Sequence, residues 1–272
     1  MHRKESTGER MMQRPFVSRV GGILSADIAV PDHEHESRFY ARVLGTGGRP
    51  LWRDDLTNAQ GIPVIGLGAR SPEHEELPLQ WMPHIMVADV AASAERARAL
   101  DGRELMHGRD DDGNSQWAVL LDPHGAGFGL IPVVPASALP AATDDGDAPV
   151  GRIAWLDLTL PDAPGARDFY REVIGWSVQD VDMEDAGERY ADYSMIGSDG
   201  EAAAGVCHAR GVNLGLPPVW LLYLPVGDLG ESLEAAREEG GRVLTEITGE
   251  DGRTLYAVVE DPVGVAFALV PA

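Results

Sequence analysis

Two aspartates occupy matching places in this chain. Asp27 lies in Ser25-Ala-Asp-Ile-Ala-Val-Pro-Asp32, and Asp157 lies in Trp155-Leu-Asp-Leu-Thr-Leu-Pro-Asp162. Carboxyls partly shielded from water, together with His84 and Tyr223 later in each half, are groups that could move protons for a bound small molecule. A hydrogen-bonded carboxylate that stabilises a sheet end or a domain interface would be duplicated just as readily. Both readings of Asp27 and Asp157 stand at this point.

Other reactive residues have plainer explanations. In Asp32-His-Glu-His-Glu36 the two histidines are two apart, so they share no helical face, and the acids suit a helix N-terminus. His107 with Asp110–Asp112 sits at a strand end and turn, and reads as part of a solvated acidic loop. His124 reads as exposed in its turn, His74 falls in a polar loop, and His208 follows the apolar Ala202–Cys207 tract. Cys207, the single cysteine, cannot form an intrachain disulfide and reads as a small buried apolar group. No nucleophile elbow, Walker loop or dinucleotide-binding glycine fingerprint is found.

The elements that position the acids follow from periodicity. Leu24, Ala26, Ile28 and Val30 alternate with Ser25, Asp27 and Ala29, the mark of a strand with two unlike faces. Asp32 can cap the helix that carries Phe39, Tyr40, Val43 and Leu44, and Gly45 ends it. The pattern restarts at Trp81, where Asp89 caps a helix over Val90–Leu100, and apolar strands follow at Trp117–Leu121 and Ala126–Val133. The second half repeats the first at an offset of 130 and, after a net insertion of nine residues, at 139. Phe39-Tyr40 then matches Phe169-Tyr170, Trp81 matches Trp220, and Asp122-Pro123 matches Asp261-Pro262. Repetition this dense means two copies of one fold. The expected layout is a tail at 1–18, a first domain at 19–134, a linker at 135–150 and a second domain at 151–272, with four βαβββ-like units in an α+β fold.

At 272 residues the chain has room for two ordinary domains. Its apolar runs are strand-length, too short to span a bilayer. A formal charge of −22 argues against nucleic acid and favours cationic ligands at long range. A lone cysteine fits a reducing cytoplasm.

Two motifs carry a resemblance. One is Pro161-Asp-Ala-Pro-Gly-Ala-Arg-Asp-Phe-Tyr-Arg-Glu-Val-Ile-Gly-Trp176 with its twin at Pro31–Gly45. The other is Asp-Pro-x-Gly-x-x-Phe at Asp122–Phe128 and again at Asp261–Phe267. With both repeated in order over residues 21–271, the chain resembles the vicinal oxygen chelate superfamily. That superfamily contains glyoxalase I, extradiol dioxygenases and bleomycin-binding resistance proteins. The nearest likeness is to two-domain members labelled glyoxalase-like or hydroxylase with no established reaction.

The resemblance implies sheets curled around cavities, one face against helices and the other lining a cup. It would put Ser25, Asp27, Ala29, Met82, His84 and Met86 in the first cup. Trp155, Asp157, Thr159, Leu221 and Tyr223 would line the second, with small residues such as Gly129 and Ala268 leaving space on the last strands. Trp81 and Trp220 would face the helices. Metal-dependent members carry His, Gln or Glu at places that here hold Ser25, Met82 and Gly129, and in the second half Trp155, Leu221 and Ala268. No cofactor is therefore expected, with a divalent ion built on Asp27 and His84 left open.

The function expected first is metal-free binding of an aromatic or cationic small molecule. The alternative is a cofactor-free enzyme using Asp27, Asp157, His84 or Tyr223 as acid/base groups, and the third is a metal-dependent lyase or dioxygenase with a displaced site. The two halves are expected to pair within the chain, and a homodimer is also open.

Overall fold

A computed structural model describes residues 18–46, 55–57, 63–138, 153–249 and 251–272. Nearly all of the expected tail and most of the expected linker lie outside these residues. The first half runs β1 (Ile23–Val30), α1 (His33–Val43), β2 (Asp55–Thr57), β3 (Pro63–Ala69), β4 (Met82–Val87), α2 (Val90–Ala99), β5 (Arg103–Arg109), β6 (Ser115–Leu121) and β7 (Gly127–Pro132). The second runs β8 (Trp155–Leu160), α3 (Ala163–Ile174), β9 (Ser177–Asp185), β10 (Glu188–Ile196), β11 (Ala202–His208), β12 (Trp220–Val226), α4 (Leu229–Glu238), β13 (Arg242–Thr248), β14 (Thr254–Glu260) and β15 (Ala266–Pro271).

Each half forms one mixed sheet. The order is β2-β3-β1-β4-β7-β6-β5 in the first and β13-β14-β15-β12-β8-β11-β10-β9 in the second. The two units of a half join edge to edge through an antiparallel pair, β1 with β4 and β8 with β12. Each cup therefore closes within its own half, and pairing of the halves is not what completes it. Among the described residues the first unit shows three strands, and each of the other three shows four.

The helices begin where the sequence places their caps. Asp32, Asp89, Asp162 and Asp228 each accept a backbone N–H from three residues on, at 2.9 to 3.2 Å. Such a cap satisfies one orphan donor of the first turn and is worth about 1 kcal/mol. Gly175 ends α3 with φ of 89°, a conformation that carries no steric penalty for glycine.

The helix faces of the two sheets enclose one apolar core shared by both halves. The family motifs meet at this joint. Tyr40 Oη donates to Asp261 Oδ2 at 2.8 Å and accepts from Trp81 Nε1 at 3.1 Å. Reciprocally, Tyr170 Oη donates to Asp122 Oδ2 at 3.2 Å and accepts from Trp220 Nε1 at 2.9 Å. The other oxygen of each aspartate accepts two N–H groups of its own Asp-Pro turn. A buried tyrosine or tryptophan must find a polar partner, and here each half supplies the partner for the other. Trp81 and Trp220 are fully buried on the helix side.

Helix contacts reinforce the joint. Arg42 on α1 pairs with Glu238 and Glu239, and Arg96 on α2 donates to the carbonyls of Glu172 and Val173 at the end of α3. One feature breaks the symmetry. Glu36 is fully buried beside Asp261, whereas the matching residue of the second half is Ala166. Burial, then the charge of Asp261, pushes the Glu36 carboxyl well above its usual range.

Candidate functional site

The first cup holds an open cavity of about 530 Å³. Strand alternation puts Asp27 and Ala29 of β1 on its wall. Met82 and His84 of β4 and Gly129 of β7 join them. Its far wall is Trp117 and Val119 of β6 with Met106 of β5, and His74 and Leu77 close one side. Trp117 remains 39% exposed, so part of its ring is left open on this wall.

Three polar side chains connect across β1 and β4. Ser25 Oγ lies 3.0 Å from His84 Nδ1, and His84 Nε2 lies 3.2 Å from Asp27 Oδ2. A carboxylate only accepts, so this contact is favourable with Nε2 protonated. In the neutral ring Nδ1 then accepts from the Ser25 hydroxyl. Burial raises the Asp27 pKa, but the hydrogen bond and charge of His84 and the Gly66 N–H outweigh it and hold the carboxyl below its ordinary value. Space for the imidazole comes from its neighbour in register, Gly129, where a Cβ would stand 2.8 Å from His84 Cδ2.

The second cup has the same skeleton and a different filling. Asp157 stands where Asp27 does, and Gly205 pairs with it as Gly66 pairs with Asp27. Trp155 Nε1 donates to Asp157 Oδ1 at 2.7 Å. Burial raises this carboxyl to about 6, against hydrogen bonds from Trp155 and Tyr223, and the charge of Asp192 adds to the rise. Tyr223, in the place of His84, stacks edge-on against Tyr256, in the place of Trp117, with ring centres 5.3 Å apart. Leu221, Tyr223, Tyr256, Val258, Ala266 and Ala268 form a buried apolar cluster on this face, with Trp155 packed against it. Thr159 is buried in register with Cys207. Burial, with the Asp157 and Asp192 charges, pushes the Cys207 thiol well above its usual range, which suppresses the thiolate a nucleophile needs.

The remaining candidates fall elsewhere. Met86 is fully buried with its sulfur 3.4 Å from the Val134 nitrogen, off the lining of the open cavity. His33 and His35 bond to separate backbone carbonyls. His107 is near a strand end as expected, but its side chain is not solvated. It sits within β5, with Nε2 2.8 Å from Ser115 Oγ and Nδ1 3.3 Å from Glu104. His208 bonds Asp192 at 2.9 Å. Sequence reading missed Trp117, Met106 and His74 as cavity residues. Alternation in β6 carried the signal for Trp117, because Ala118 and Leu120 are the helix-packed pair and Trp117 takes the opposite face.

The fit to a divalent ion is poor by donor chemistry. The places that hold ligands in metal-dependent relatives offer a hydroxyl, a thioether and no side chain in the first cup, and an indole, a leucine and an alanine in the second. Asp27 and His84 are committed to each other. Among the described residues no three His, Cys, Asp or Glu side chains converge to hold an ion.

Comparison with known proteins places this geometry. Residues 152–269 match the Glyoxalase/Bleomycin resistance protein/Dioxygenase superfamily, and residues 25–131 match a glyoxalase-like domain. A Mycobacterium tuberculosis protein named "Putative glyoxylase CFP32" is 31% identical over 254 residues, covering 90% of this chain and 92% of its own. An anthracycline biosynthesis protein, DauV, of a Streptomyces species (strain C5) is 25% identical over 266 residues, covering 90% of each. Among solved structures, homoprotocatechuate 2,3-dioxygenase from B. fuscum superposes with a TM-score of 0.59 at 16% identity, over 95% of this chain and 74% of that one. At that identity the likeness shows the fold alone. The chain belongs to the glyoxalase/bleomycin resistance/dioxygenase superfamily, with two glyoxalase-like domains in tandem.

Proposed function

We propose that the first cup binds a planar aromatic small molecule, with a cation preferred, and does so without a metal ion. The observation that carries this is the open cavity itself. Its volume is in the range of small-molecule sites, an exposed indole forms one wall, and among the described residues on the lining Asp27 is the one carboxylate, with no Lys or Arg. A ring stacked on Trp117 with a positive group near Asp27 would satisfy both. The net charge of −22 draws cations towards the molecule. The relative named for anthracycline biosynthesis supports a planar polycyclic ligand.

The test is a titration with 9-aminoacridine, a planar cation, and with acridone, a neutral analogue, read by tryptophan emission. Saturable binding of the cation, weaker binding of acridone and sub-stoichiometric metal in protein purified without chelator are expected. A stoichiometric metal ion, or no binding of either probe, overturns the reading. A second reading, a cofactor-free enzyme, is favoured by one observation: His84 is held between Asp27 and Ser25 beside the cavity.

A further inference from the structure

We infer that Gly108 sets the ligand class of the first cup, fused-ring aromatics, by seating the Trp117 indole at the outer wall and so keeping the cavity broad. The inference rests on the first cup being the binding site. Gly108 of β5 stands opposite Trp117 of β6 in the antiparallel register. Residues paired in this way point their side chains to the same face of the sheet. Met106, two residues earlier on β5, lines the cavity, so that face is the cup face. A Cβ on Gly108 would stand 2.2 Å from Trp117 Cε2, 2.3 Å from Nε1 and 2.7 Å from Cζ2. The indole therefore occupies the space that a side chain at 108 would fill. It leans outward over β5, the outermost strand of its sheet, and away from the middle of the cup.

The second cup shows what the same strand pair does without the glycine. Ile247 and Tyr256 are paired there, in the places of Gly108 and Trp117. The branched side chain at 247 packs against the buried cluster of that cup. Tyr256 leans inward, across β15 to Tyr223 on β12, with ring centres 5.3 Å apart. It is 9% exposed where Trp117 is 39% exposed, so one ring is packed and the other is left open. In the first cup the floor between Trp117 and His84 is Val119 of β6 paired with Gly129 of β7, and both line the cavity. A valine and a glycine leave room for a fused ring system to lie there with the indole against it. A side chain at 108 would drive the indole inward over that floor, as the ring of Tyr256 goes.

The experiment is a calorimetric titration of the full chain with 9-aminoacridine, run on the parent, Gly108→Ile, Trp117→Ala and the double variant. Thermal melting of each checks that the fold is intact, and Gly108→Ala supplies a smaller Cβ should the isoleucine unfold the edge strand. Gly108→Ile is expected to weaken binding about tenfold, and Gly108→Ala to weaken it in the same direction. In the Trp117→Ala background Gly108→Ile should change affinity by less than about twofold, because the glycine acts through the indole. Benzylamine, a cation with a single ring, should bind the parent more weakly than 9-aminoacridine and lose less in Gly108→Ile. Unchanged affinity in Gly108→Ile, or equal losses in both backgrounds, overturns the role of Gly108 while the cup stands. Benzylamine binding as tightly as 9-aminoacridine overturns the ligand class. No saturable binding by the parent, or binding that Trp117→Ala leaves untouched, removes the cup itself and the inference with it.

Discussion

The two cups are copies of one scaffold that solved the interior differently. In the first, Ser25, His84 and Gly129 leave an open space, and Asp27 stays ionised at its edge beside a histidine. In the second, Trp155, Tyr223 and Ala268 fill the matching places, and the half-buried Asp157 is raised to about 6. One carboxylate thus faces solvent with a donor beside it, and the other is enclosed by aromatic rings. The lesson is that an acid conserved through duplication does not keep one role. Its neighbours decide whether it is a charge offered to a ligand or a carboxyl with a raised pKa inside a packed wall.

The largest effect that would sharpen this contrast concerns two glycines, one beside Asp157 and one beside His84. A Cβ on Gly205 would stand 2.1 Å from Asp157 Oδ1, the oxygen that accepts from the Trp155 indole, and would have to break that bond to fit. Gly205→Ala is expected to cost about 3 kcal/mol of stability, read as a lowered denaturation midpoint. Gly129→Ala meets only the edge of the His84 ring, which can turn into the open cavity. It should cost about 1 kcal/mol and weaken 9-aminoacridine binding instead. Equal losses of stability would mean that the first cup is as tightly packed as the second.

Asp157 gives a pH test of the same contrast. Its folded pKa is raised, so the stability it permits is complete below pH 3.8 and is lost as pH rises through about 6. Asp157→Asn should remove that decline, stabilising the protein by about 2 kcal/mol at pH 7 after allowance for partial exposure. Stability profiles from pH 4 to 7 would show it, and parallel profiles for variant and parent would break the assignment. Asp27 has the opposite sign. Its pKa is depressed, so its contribution is present above pH 3.8 and fades as pH falls below the ordinary carboxylate range. Asp27→Asn should change stability little at pH 7 and weaken the cation about tenfold, equivalent to about 1.4 kcal/mol. Acridone should be indifferent to it.

Much of the fold was legible because strands and helices repeat at their own periods, and the chain states each period twice. The caps at Asp32, Asp89, Asp162 and Asp228, the strand restarts and the helix-side placement of Trp81 and Trp220 all follow from local pattern. The joint between the halves was not legible. Tyr40 with Asp261 and Tyr170 with Asp122 are 221 and 48 residues apart, and no local rule links them. The motifs that marked the family are in large part the residues that clasp the halves together. In the site, alternation placed Asp27 and His84 on one face, but the hydrogen bonds to Ser25 depend on which strands are neighbours. That β1 pairs with β4 is a tertiary fact. The shielding of His107 was missed for a similar reason, since its contact with Ser115 depends on β5 pairing with β6.

The most direct test of the central claim is tryptophan emission during titration with 9-aminoacridine, compared among the parent, Trp117→Phe and Trp155→Phe. If the first cup is the binding site, Trp155→Phe retains the saturable quench and Trp117→Phe loses most of it. A quench that survives Trp117→Phe and disappears in Trp155→Phe would place the ligand in the second cup and contradict the account.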